Sequence, residues 1–172
     1  MRNVYLLIGL LFSSAVFANP LPTVDYVEVT RFVGKWYAHY SLPQFFTNSC
    51  RAQTAEYEVI NEKKISVLNT CLKKKGVTTI YGQAVVTNPG KNSELIVTFN
   101  NFFTRLFRVK GDYNIIKLDE NYDYVLVGSI NRKSLWLMSR SDVAIPEVIR
   151  EEYLNYAREL GFNTKKLVES RF

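Results

Sequence analysis

The stretch Arg31–Tyr40, RFVGKWYAHY, sets Gly34 two residues ahead of the pair Trp36–Tyr37, and it fixes where the first strand begins. Trp36 to Ser41 is dominated by aromatic side chains, which suit a pleated, half-buried surface. The glycine before them marks a place where the backbone bends, or where a neighbour comes too close for a side chain. A strand that opens on its most flexible residue beside its two largest is a corner of the fold.

Reading on from that corner, AQTAEYEVI (52–60) and ISVLNTC (65–71) flank the polar NEKK (61–64) and predict a hairpin. VTTIYGQAVVT (77–87), ELIVTFN (94–100), DYNIIKLD (112–119), YDYVLVGSI (122–130) and SLWLMSR (134–140) continue the series. A phenylalanine-rich loop, NFFTRLFRVKG (101–111), interrupts it. About eight strands, each about ten residues from the next with turns too short for crossover helices, predict an antiparallel meander. Closing such a meander into an up-and-down barrel removes both edges and leaves room inside for one small ligand. A β-sandwich has the same periodicity, and periodicity leaves both open.

After Arg140 the period changes. IPEVIREEYLNYARELGF (145–162) has Pro146 at a helix start, Gly161 at its end, and Ile149, Tyr153, Tyr156, Ala157 and Leu160 along one stripe. This helix is expected to pack on the outside of the sheet, and the tail TKKLVESRF (164–172) to add a last short strand.

The other terminus has a different character. MRNVYLLIGLLFSSAVFANP (1–20) runs from Arg2 through an apolar core into small residues, with Val16 and Ala18 placed for cleavage after Ala18. Residues 1–18 are expected to be a signal peptide and 19–172 one exported domain, periplasmic or secreted. The apolar run falls short of the roughly 20 residues a membrane span needs. Export brings an oxidising compartment, so the two cysteines, Cys50 and Cys71, are expected to form a disulfide. Partner numbers in the 61–64 hairpin sum to roughly 125, and those of the two cysteines to slightly less, which places the pair near the hairpin's open end. Neither cysteine lies near the cleavage point, so the mature protein is expected to be soluble and without a lipid anchor.

The net charge of +6 falls to +5 with the loss of Arg2. Lysines cluster at 63–64, 73–75 and 165–166, in a pattern of solvated turns and not of a nucleic-acid-binding stripe. Attraction to anionic head groups is the functional reading of the same charge. The single histidine, His39, and the paired cysteines offer no nucleophile–base spacing, and no phosphate-binding glycine loop is present; neither an enzyme nor a cofactor or metal is expected.

Signal sequence, glycine-led first strand, meander and late helix, in this order, resemble the lipocalins. VEVTRFVGKWY (27–37) is similar to the family's first motif through Glu28, Arg31, Phe32, Gly34, Trp36 and Tyr37. IIKLDENYDYVLVG (115–128) resembles its strand–turn–strand motif through Asp119, Tyr122 and Tyr124, and SLWLMSRS (134–141) resembles its last, with Arg140. The resemblance covers nearly the whole mature chain. It lies nearest the branch of bacterial lipocalins, apolipoprotein D and plant temperature-induced lipocalins.

The resemblance implies an all-β, eight-stranded antiparallel up-and-down barrel with one C-terminal α-helix outside. It further implies that Trp36 plugs the closed end, that Arg140 packs over it, and that a small hydrophobic ligand such as a fatty acid or lysophospholipid sits inside. With Trp36 turned inward, alternation points Ala38 and Tyr40 in as well, and His39 and Tyr37 out. On the other strands the more apolar parity gives Ala55, Tyr57, Val67, Ala84, Val97, Phe99, Tyr113, Ile115, Leu126 and Trp136 as candidate lining, each equally explicable as core filling. A secreted interaction protein with a filled barrel is the rival reading. Arg105 and Arg108 are candidates for a ligand head group. Phe102, Phe103 and Phe107 stand to line the mouth, to touch a membrane surface peripherally, or to form a homodimer contact.

Overall fold

The computed structural model describes residues 20–45, 47, 49–100 and 110–172. The expected signal peptide, and the expectations for Phe102, Phe103, Arg105, Phe107 and Arg108, lie outside the described residues.

Eight antiparallel strands close into a barrel: β1 (Gly34–Ser41), β2 (Ala52–Asn61), β3 (Lys64–Leu72), β4 (Val77–Val86), β5 (Glu94–Phe99), β6 (Lys110–Leu118), β7 (Tyr124–Gly128) and β8 (Leu135–Ser139). Each strand pairs with the next, and β1 also pairs with β8, so the sheet has no long free edge. The choice between barrel and sandwich, open in the sequence, is settled by that β1–β8 seam.

The β2–β3 hairpin keeps the register its turn dictates, with Tyr57 opposite Val67 and Asn61 opposite Lys64. Cys50, just ahead of β2, is bonded to Cys71 on β3. At a sequence separation of 21, the bridge contributes about 3 kcal/mol by restricting the unfolded chain.

Alternation along the strands separates two apolar cores. An inner one gathers Trp36, Ala38, Tyr57, Val67, Ala84, Ile115, Val125 and Val127; an outer one gathers Ile116, Leu126, Leu135 and Leu137 beneath the helix. That helix, α2 (Glu147–Glu159), buries Tyr153 and Ala157 against β7 and β8, with Ile149, Tyr156 and Leu160 beside them as its stripe requires. Lys117 on β6 fastens it from the sheet side through an ion pair to Glu152 at 2.7 Å. The tail adds the short strand β9 (Val168–Glu169) to the outer end of β1.

One element was illegible in the sequence. Val29–Phe32 forms a single helical turn, α1, across the closed end, too short to display a helical period.

Candidate functional site

Meander topology sorts the loops into two ends. The β2–β3, β4–β5 and β6–β7 turns lie with α1 and Arg140 at the closed end; the β1–β2 segment and the β3–β4 and β7–β8 turns rim the open one.

The floor is built around Trp36, which has no accessible surface. Its Nε1–H donates to the Phe32 carbonyl at 2.8 Å, and the Phe32 ring lies 5.3 Å away. Arg140 covers the indole from outside with its guanidinium carbon 3.8 Å from the ring centroid, a cation–π contact worth about 1 kcal/mol. The same guanidinium donates to five carbonyls, those of Arg31, Phe32, Val33, Lys35 and Tyr122. Gly34 has a φ of +95°, a conformation side chains disfavour, and a Cβ there would come within 3.4 Å of the Arg140 guanidinium. So the flexible residue ahead of Trp36 is the bend that lets Arg140 reach over the tryptophan.

Neighbouring turns lock onto this plug. The Tyr122 hydroxyl accepts from the Glu28 N–H at 2.9 Å, and the Arg31 guanidinium lies 4.1 Å from the Tyr122 ring. Asp119 accepts from the N–H groups of Asn121 and Tyr124, shaping the β6–β7 turn. Tyr37 faces outward, its ring 5.3 Å from that of Phe172. A void at this end, bordered by Phe32, Ile65, Val86, Leu95 and Ile115, measures about 10 Å³, room for roughly one water.

The inner wall holds most of the expected lining. Ala38, Ala55, Tyr57, Val67, Ala84, Val97 and Ile115 belong to the inner core, and Phe99, Tyr113 and Trp136 pack on it half-buried. Two assignments are corrected. Tyr40 faces outward, in the core beneath the helix, because a β-bulge between Ala38 and Tyr40 inserts one residue and flips the alternation; its hydroxyl donates to Glu169 at 3.0 Å. Leu126 is fully buried but outside the barrel, between strand and helix, and Val125 and Val127 take the inner positions. In VLVG both faces are apolar, so parity by hydrophobicity could not choose; Tyr124, whose half-polar ring belongs under the helix edge, is the signal that would have set the phase. Ser41, past the bulge, stands opposite Trp136 and was missed for the same reason as Tyr40.

Exposure along the inner face is graded. Toward the floor, Trp36, Ile65, Val67, Tyr57, Ile115, Val125 and Val127 are each at most 4% exposed. Toward the mouth, Gln53, Asn69, Ile80, Phe99, Tyr113 and Trp136 retain accessible surface. Gly82 makes this wall: a Cβ there would meet the Phe99 ring at 2.8 Å, so its absence lets Phe99 lie back against the sheet. The inner wall is thus fully buried below and partly accessible above.

A polar step separates the two halves. The Tyr57 and Tyr113 hydroxyls meet across the barrel at 3.0 Å. Burial pushes the Tyr57 phenol up to about 12 and raises that of Tyr113 strongly, so both remain protonated at neutral pH. Two hydroxyls that share one hydrogen bond leave one hydrogen free to donate. Asn69, one cross-strand pair nearer the mouth, has a buried side-chain oxygen without a hydrogen-bond partner. Apolar walls interrupted by a spare donor and an unmet acceptor suit an amphiphile.

On the outside, His39 is 5% exposed beneath Phe172, with Nε2 2.9 Å from both Ser139 Oγ and the Ser141 carbonyl. Burial lowers its pKa from 6.5, so it is neutral at physiological pH and fastens the tail to the barrel wall. Among the described residues no group of His, Cys, Asp and Glu could hold a metal ion.

The family model described as a lipocalin-like domain matches residues 27–171. The chain is 31% identical to the outer membrane lipoprotein Blc of Vibrio cholerae, across 98% of this chain and 97% of the relative. It is 28% identical to temperature-induced lipocalin-1 of Arabidopsis thaliana, across 86% and 80%. Insecticyanin from the tobacco hornworm superposes with a TM-score of 0.70 at 17% identity, over 91% of this chain and 86% of its own, a likeness of fold. The lipoprotein relatives run against the expectation of an unanchored chain; here both cysteines are bonded to each other.

Proposed function

The chain belongs to the lipocalin family, and on that premise we propose that it is an exported carrier of a single-chain amphiphile, a fatty acid or lysophospholipid, serving lipid transport, storage or membrane maintenance in the cell envelope. The observation that carries the reading is the graded interior: sealed by Trp36 and Arg140 below, accessible along Phe99, Tyr113 and Trp136 above. The acyl chain descends along these walls, and its polar end meets either the Tyr57–Tyr113–Asn69 step or the mouth.

The energy is adequate. At about 0.8 kcal/mol per buried methylene, an acyl chain of about 14 carbons gains roughly 11 kcal/mol before ordering and association costs, which leaves micromolar affinity within reach. No reaction is needed for this role: the residues bind, orient and exclude water.

Displacement of a fluorescent fatty acid tests the proposal. Saturable displacement by unlabelled fatty acid is expected, together with a lipid in the mass spectrum of the protein extracted from its own cells. Ala84→Trp, which puts an indole between Ile65 and Val97, should abolish displacement while circular dichroism keeps its strand signature. No displacement, and no extractable lipid, would overturn it.

A further inference from the structure

We infer that the rim of the open end docks on an anionic lipid bilayer, mouth towards the membrane.

The two ends of the barrel carry opposite charge. The β1–β2, β3–β4 and β7–β8 segments of the sequence, 42–51, 73–76 and 129–134, contain Arg51, Lys73, Lys74, Lys75, Arg132 and Lys133 and no Asp or Glu. The closed-end segments, 24–33, 62–63, 87–93, 119–123 and 140–146, carry seven carboxylates against four cations. Among the described residues, Arg51, Lys73, Lys74, Lys75 and Lys133 form no ion pair, whereas towards the closed end Lys35 and Lys91 are matched with Glu56 and Asp25. A run of cations confined to one end of a molecule, and left unneutralised there, draws that end to a negative surface.

Apolar tips stand among these charges. Val77, beside the lysine turn, is 60% exposed; Ile130, beside Arg132, is 54% exposed; Phe45 is 89% exposed. Exposed apolar tips framed by lysines match the interfacial layer of a bilayer, where apolar groups bury shallowly and ammonium groups meet phosphates.

The rim is also held as one surface. The Cys50–Cys71 bridge joins the β1–β2 segment to β3, the Arg51 N–H donates to the Leu72 carbonyl at 2.6 Å, and the Gln44 side chain donates to the Lys133 carbonyl at 2.9 Å. The β3–β4, β1–β2 and β7–β8 tips thereby form a continuous arc around the mouth. Docked on it, the barrel opens directly into the layer that holds single-chain lipids, a route for cargo that avoids water. The docking stands on the charge and shape of the rim, independently of which cargo is bound.

Sedimentation with vesicles tests it. The purified protein should partition onto phosphatidylcholine vesicles containing phosphatidylglycerol, partition far less onto phosphatidylcholine alone, and release as salt is raised. Each lysine near such a surface is worth roughly five-fold in partitioning, so the triple variant Lys73→Ser, Lys74→Ser, Lys75→Ser should bind on the order of 100-fold more weakly. Ile130→Ser should lose roughly ten-fold, and Lys63→Ser with Lys64→Ser, at the closed end, should lose little. The triple variant should keep its displacement of fluorescent fatty acid; parallel loss would mean the lysines act on cargo and would overturn docking as their role. Equal partition onto neutral vesicles, a triple variant that binds undiminished, or a dimer that dissociates in the triple variant would each overturn the proposal.

Discussion

At the closed end of the barrel one guanidinium reaches five carbonyls and an indole; at the open end a disulfide and a few loop hydrogen bonds do the joining, while the inner wall stays accessible. Charge follows the same division, of mixed sign below and positive above. The contrast teaches that a ligand-binding barrel concentrates its directional interactions where nothing passes and leaves its binding end to covalent and apolar restraint. Directional bonds tolerate little movement, and a mouth that admits cargo must move.

Four changes bear on that contrast. Arg140→Ala should be the most damaging, because it leaves carbonyls partnerless and uncovers Trp36; a loss of about 4 kcal/mol is expected in urea unfolding. If the folded fraction still binds fatty acid with little change, floor and mouth are energetically separate; if binding falls in proportion, the contrast breaks. Replacing Cys50 and Cys71 with serine should cost about 3 kcal/mol and, unlike the floor variant, should quicken release of bound fatty acid measured by stopped flow. Tyr113→Phe removes one of the two phenols that divide the interior, and should cost about 1 kcal/mol in stability with a several-fold weaker affinity for an amphiphile. The smallest effect is His39, whose lowered pKa means that the unfolded chain takes up a proton first on acidification. Stability from this group is complete above the unfolded value of 6.5 and is lost as pH falls through the folded value. A His39→Gln variant should flatten that part of the stability profile.

Much of this architecture was legible in the chain, and what escaped has a physical reason. The hairpin register and the helix stripe rest on local spacing, the disulfide on an even pair of cysteines behind an expected export signal, and the Trp36–Arg140 contact on the resemblance to the lipocalin motifs. Tyr40 and Leu126 were misplaced because strict alternation was carried through a bulge in one case and applied to a strand apolar on both faces in the other. The bulge is made by pairing with β8, about a hundred positions away, so no window of sequence around Tyr40 contains its cause. Asn69 and the Tyr57–Tyr113 bond were invisible for a related reason: a polar group inside a barrel acquires meaning only from what lies opposite it.

The seam between β1 and β8 has a consequence for how the molecule comes into being. Val33 and Arg140, which the floor brings into contact, stand 107 positions apart. Until β8 has been made, β1 has β2 on one side and an unpaired edge on the other, and neither plug nor outer core can assemble. Contacts of such long range make folding slow, on the order of milliseconds to seconds. A chain that cannot finish folding before its last fifth has emerged stays threadable, which is the condition that passage through a membrane pore demands.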